Sequence, residues 1–159
     1  MSEQAEKRNE TEAERIDRNL EELLQELRIA IPGIQFLFAF LLVVPFQQGW
    51  VNVTDFEKNV YYVALLATTL AGICLMGAPA RHRLRFREMD KEWVVRSSHK
   101  YMIAGLVLLG IAITTVILLV SHVVFAPATA IVATALIGSA IFWVWFGAPL
   151  RRELTHERD

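Results

Sequence analysis

The stretch YMIAGLVLLGIAITTVILLVSHVVFAPATAIVATALIGSAIFWVWFGAPL occupies positions 101–150 and contains no Asp, Glu, Lys or Arg. A helix on a soluble core carries polar residues on its outer face at a period of 3.6, and this run has no such face. As one helix it would extend about 75 Å, whereas a bilayer hydrocarbon layer is roughly 30 Å thick. The chain must therefore fold back within it. The polar break at Ser121-His122 and the proline at Pro127 mark the place. Two spans result, 101–124 and 126–150, joined by a tight hairpin.

Working outward, positions 59–80 form a second uncharged run, long enough for a span over 60–79. A fourth apolar segment covers 29–46. The expected fold is an all-α membrane protein with four transmembrane helices as two hairpins. Residues 1–28 are expected to form an acidic amphipathic cytoplasmic helix before them, residues 81–100 a basic loop and residues 151–159 a tail. With 54% hydrophobic and 21% charged residues in 159, a soluble globular domain and intrinsic disorder are both excluded. Cys74 is the single cysteine, which excludes an internal disulfide and a thiolate metal cluster. The first 28 residues are polar and lead to no A-x-A site, so no cleavable signal peptide is expected.

Orientation follows from the basic residues. Five lie in residues 1–28, seven in 81–100 and three in 151–159, against Lys58 alone on the other side. The positive-inside rule places both termini and the 81–100 loop in the cytoplasm of a multi-pass plasma-membrane protein. Trp50, Tyr61 and Tyr62 fall near the expected outer edge, and Trp93, Tyr101, Trp143 and Trp145 near the inner one, as interfacial aromatic rings do.

Local signals set expected helix ends. Thr11-x-x-Glu14 and Thr54-x-x-Glu57 fit a capping box, and Asp90 fits an N-cap ahead of span three. Gly77-Ala78-Pro79 and Gly147-Ala148-Pro149, each followed by arginine, read as helix stops. Their 70-residue offset leaves duplication of a hairpin and convergent helix-stop chemistry both open. Pro32 removes the amide that would bond the Arg28 carbonyl, so a bend is expected where the N-terminal helix enters the membrane.

No span carries a carboxylate, Lys or Arg of the kind that pumps and transporters use to bind or relay ions. Threonines at 68, 69, 114, 115 and 134 are expected to bond their own backbone one turn back. Gln35, Thr68 and Thr114 remain the candidate intramembrane polar contacts, and Gln35, whose amide cannot satisfy itself, should seek another helix. The four histidines do not suggest a site: His99 and His122 lie at opposite ends of span three, roughly 35 Å apart at 1.5 Å per residue. No catalytic, cofactor-binding or metal-binding motif stands in the sequence, so neither enzymatic activity nor a cofactor is expected.

Small residues recur in register. Ala64, Thr68 and Gly72 share a row of span two, as do Ala126, Ala130, Thr134 and Gly138 in span four. Such rows admit close helix approach, making Ala64, Gly72, Ala130 and Gly138 the candidate packing positions. In the N-terminal helix Ile16, Leu20, Leu23 and Leu27 form an apolar stripe. Nine acidic residues against five basic ones surround it, while the 81–100 loop has seven basic against three acidic. Anionic lipid would repel the helix, so it is expected to dock on that loop or on another subunit.

The segments EELLQELRIAIPGIQ at 21–35, FAFLL at 38–42 and PFQQ at 45–48, with Thr54-Asp55-Phe56, His82-Arg83 and the 143–149 end, carry a resemblance. It extends over roughly 11–152 and is to a family of small four-span actinobacterial membrane proteins. That resemblance implies the four-span topology and a bacterial origin. Some family members bear a sodium:proton antiporter label, which implies an acidic intramembrane ion site. The residues themselves favour a non-catalytic membrane protein that oligomerises or docks a membrane partner, with a small ion or solute transporter or channel as the alternative. Expected partners are the bilayer and a second copy or another membrane protein, not nucleic acid.

Overall fold

The structure, a computed structural model, describes residues 12–85 and 91–147. It is all-α. Helix α1 covers Glu12–Val43, α2 Asp55–Arg85, α3 Lys91–Val124 and α4 Pro127–Phe142, and α4 runs on into a π-helical turn at Trp143–Gly147. Two short 3-10 turns, Val44–Phe46 and Gln48–Asn52, link α1 to α2. Four segments are long and apolar enough to cross a membrane: Leu24–Phe46, Asp55–Gly77, His99–Val124 and Pro127–Gly147. The shortest has 21 residues and spans about 31 Å at 1.5 Å per residue, which matches the hydrocarbon thickness.

Two sequence expectations change. The N-terminal helix and the first span are one continuous helix with Pro32 inside it. A proline costs one amide bond and crowds the carbonyl a turn back, but an apolar surrounding offers the backbone no better partner than its own helix. For the same reason Gly77 and Pro79 do not end α2, which continues to Arg85. No described glycine takes a positive φ, so the left-handed cap expected of Gly77 does not form. The proposed caps Thr11 and Asp90, and Ala148-Pro149 of the second stop, lie outside the described residues.

Helices α2 and α3 form the most extensive pair, and α1 lies across α2 while also touching α3. These three share two apolar cores. One joins Leu27 and Ile34 of α1 to Ala71 and Leu75 of α2, with Met102, Leu108 and Leu109 of α3 against them. The other joins Leu41 of α1, Val60, Tyr61 and Ala64 of α2 and Leu119 of α3. Helix α4 packs on α3 and, among the described residues, touches neither α1 nor α2. The result is a three-helix core with a fourth helix leaning on one side.

Candidate functional site

The α1–α2 and α3–α4 links lie at the same end of the helices, and the polar chemistry is concentrated there. Thr54 and Glu57 close both halves of a capping box. The Thr54 hydroxyl oxygen accepts from the Glu57 amide at 3.3 Å, and Glu57 Oε2 accepts from the Thr54 amide at 2.7 Å and from its hydroxyl at 2.8 Å. This arrangement uses donors that the first turn of α2 would otherwise leave orphaned. It also fixes the carboxylate, so that Oε1 faces α3. There His122 Nδ1 lies 3.1 Å away.

Glu57 is buried to 8% exposure. An ionised carboxylate can only accept, so its contact with His122 requires the proton on Nδ1 of the imidazole. The two groups also suit their helices. Glu57 sits in the first turn of α2, where the helix dipole favours a negative charge, and His122 in the last turn of α3, where it favours a positive one. The Phe56 ring, 5.2 Å from the imidazole, covers one side. Nearby, Asp55 and Lys58 pair with each other at 3.4 Å. Tyr61 is held by an edge contact with Trp50 at 4.9 Å and by a hydrogen bond to the Leu41 carbonyl. One end of the molecule is thereby fastened by polar bonds on α1, α2 and α3.

His122, for which the sequence offered no partner, thus meets the carboxylate of another helix. The sequence marked Glu57 as a cap and left His122 unassigned. The only available signal was that both stand at span ends beside the short links.

The other candidate positions are dispersed. Thr68 is fully buried and donates to the Ala64 carbonyl at 2.7 Å. Thr114 donates to Gly110 at 2.8 Å, and Thr134 to Ala130 at 2.7 Å. Each hydroxyl proton is thus used within its own helix. Ala64 and Ala130 are buried. A methyl group added at Gly72 would lie 3.7 Å from Ile34 Cγ2, an ordinary contact, and one at Gly138 would lie 3.4 Å from Thr114 Cγ2. Tighter glycines lie in α3: a methyl at Gly105 would come within 2.6 Å of Leu75 Cγ, and one at Gly110 within 3.2 Å of Ile141 Cγ2. Neither belongs to the small-residue rows that the sequence shows in spans two and four. Gln35 is exposed on α1 and bonds to no other described residue.

Between α3 and α4 a groove of about 330 Å³ is lined by Gly110, Thr114, Thr134, Gly138, Ile141 and Phe146. Its threonine protons are already committed, so it presents a mainly apolar surface. No cluster of three or more metal-ligating side chains occurs among the described residues. Of the N-terminal stripe, Leu27 is inserted against Ala71 and Leu75, whereas the side chains of Ile16, Leu20 and Leu23 lie outside the described residues.

Residues 9–149 match the Family of unknown function (DUF6328), and the chain belongs to that family. No curated protein and no solved structure matches it.

Proposed function

We propose that this is a non-catalytic multi-pass protein of the bacterial plasma membrane whose activity is to associate, with copies of itself or with a membrane partner, through helix faces turned to the bilayer. The observation that carries the reading is how little of the two outer helices is covered: among the described residues α4 rests on α3 alone, and the spans of both α1 and α4 keep most of their surface free. The orientation proposed has both termini and the 81–100 loop in the cytoplasm, on the strength of the fifteen basic residues on that side. Proposed with it is the docking of the acidic N-terminal segment over the basic loop. Two differently tagged full-length copies, co-expressed and solubilised in mild detergent, test the reading. It requires one tag to retrieve the other, and it fails if each copy is recovered alone and with no other membrane protein.

A second reading, a small sodium or proton transporter, draws on the Glu57–His122 pair and on the likeness to proteins labelled as antiporters. A titratable carboxylate–imidazole pair at the ends of two apolar helices is a chemically reasonable entry point for a cation. Flux into liposomes containing the purified protein decides it: a sodium or proton flux abolished by Glu57→Gln supports transport, and none above empty vesicles rules it out.

A further inference from the structure

Leu24–Phe46 of α1 is long and apolar enough to cross the bilayer, and Gln35 stands at its midpoint. Its side chain is exposed and makes no hydrogen bond with any other described residue. An amide facing hydrocarbon with no partner is costly, because nothing in that medium can bond to it. Its neighbours along the helix are exposed too. Arg28, Pro32, Gln35, Ala39 and Leu42 follow one another at intervals of 4, 3, 4 and 3, and all five lie on the surface.

That spacing is a heptad seam, the pattern by which two helices pack along a shared left-handed line. Small or flat residues at Pro32 and Ala39 flank the glutamine along the row. A second helix backbone therefore has room to approach at the level where the amide needs a partner. Pro32 adds another demand on the same row, since it offers no N–H to the Arg28 carbonyl. Among the described residues α4 makes no contact with α1 and does not cover this face.

We infer that α1 pairs with α1 of a second copy about a two-fold axis passing beside Gln35. The amide suits this arrangement because it holds both a donor and an acceptor. Across a two-fold axis each Nε2–H donates to the Oε1 of the other copy, so both polar groups are satisfied by the same residue. A central amide between Pro32, Ala39 and Leu42, with Arg28 at the end of the row, also fixes the register of the two helices. The inference rests on the associating reading above and narrows it to one surface and one partner, a second copy of this chain.

The test is disulfide cross-linking of the full-length protein in bilayers, in a Cys74→Ser background. Ala39→Cys lies on the seam and Leu136→Cys on the exposed side of α4. Oxidation is expected to link Ala39→Cys copies as dimers and to leave Leu136→Cys copies unlinked. Gln35→Leu, which places an apolar side chain toward lipid and leaves the core untouched, is expected to weaken dimerisation about tenfold. Gln35→Asn, which keeps the amide, should retain part of it. Dimers linked through Leu136→Cys but not through Ala39→Cys would overturn this surface while leaving association intact. A dimer unaffected by Gln35→Leu would overturn the role of the amide. Monomers throughout, or retrieval of an unrelated membrane protein in place of a second copy, would overturn the two-fold pairing.

Discussion

The Tyr61 hydroxyl donates a 3.0 Å hydrogen bond to the main-chain carbonyl of Leu41, twenty residues earlier. In a continuing helix that carbonyl would accept from the amide of residue 45, but residue 45 is a proline and has none. The carbonyl is left over where α1 ends, next to buried Val60 and Ala64, and Tyr61 supplies the missing donor from α2. A proline that ends one span thus creates the acceptor that fastens it to the next.

Tyr61→Phe should therefore destabilise the protein by about 1–3 kcal/mol, the usual cost of leaving a buried polar group unpaired. Adding Pro45→Ala returns an amide at position 45 and should recover part of that loss. Thermal unfolding of the two variants in detergent checks this; if Tyr61→Phe matches the wild type, the bond contributes nothing.

Glu57 and His122 should behave as a coupled pair. We expect Glu57→Gln and His122→Gln each to lower stability, and the double variant to lose less than the sum, with a coupling energy of about 0.5–3 kcal/mol. Thr54→Ala removes the reciprocal cap and should cost about 1 kcal/mol by itself. Strict additivity between Glu57→Gln and His122→Gln would show that the 3.1 Å contact is energetically empty.

How much of this end was legible in sequence depends on distance along the chain. The Thr54–Glu57 box was readable because its chemistry works at a fixed spacing of three residues. The long uncharged run over 101–150 was readable because the bilayer dictates its length. The Glu57–His122 contact spans 65 residues and exists only once α2 and α3 have set their register, which no local pattern encodes. Gln35 could be identified as needing a partner, but residue type says nothing about the direction in which a side chain leaves the helix. Gly77-Ala78-Pro79 looked like a stop because it would be one in water, where the freed backbone has solvent to bond.

Close packing of α2 on α3 depends on Gly105. Gly105→Ala forces a methyl group into Leu75 and should cost about 1–3 kcal/mol, whereas Gly72→Ala makes only an ordinary contact and should change stability by less than about 0.5 kcal/mol. Equal effects of the two substitutions in the same unfolding assay would mean that the approach at Gly105 is not tight.

Leu27 anchors the cytoplasmic-side half of α1 in the proposed orientation. At 2% exposure against Ala71 and Leu75, its truncation in Leu27→Ala should cost about 2–5 kcal/mol. Leu27→Glu should also open residues 12–28 to proteolysis, while added salt should loosen the segment only partly, because exposed ion pairs contribute only about 0–1 kcal/mol each. Equal cleavage of the wild type and Leu27→Glu would mean that this segment is undocked.

Reporter fusions test the orientation. Fusions at Asp159 and within 85–95 should report from the cytoplasm and one at Asn52 from the opposite side, following the distribution of basic residues. An external signal at Asp159 would require a different number of crossings.

Association in a bilayer is the claim on which the account turns, and energy transfer between donor-labelled and acceptor-labelled copies in liposomes measures it most directly. Labels at an introduced Asn52→Cys, in a Cys74→Ser background, sit away from the helix faces in question. The account predicts transfer above the level set by random proximity, persisting as lipid is added until dissociation sets in along a single binding curve. Transfer that never exceeds the random level at any lipid-to-protein ratio would contradict it.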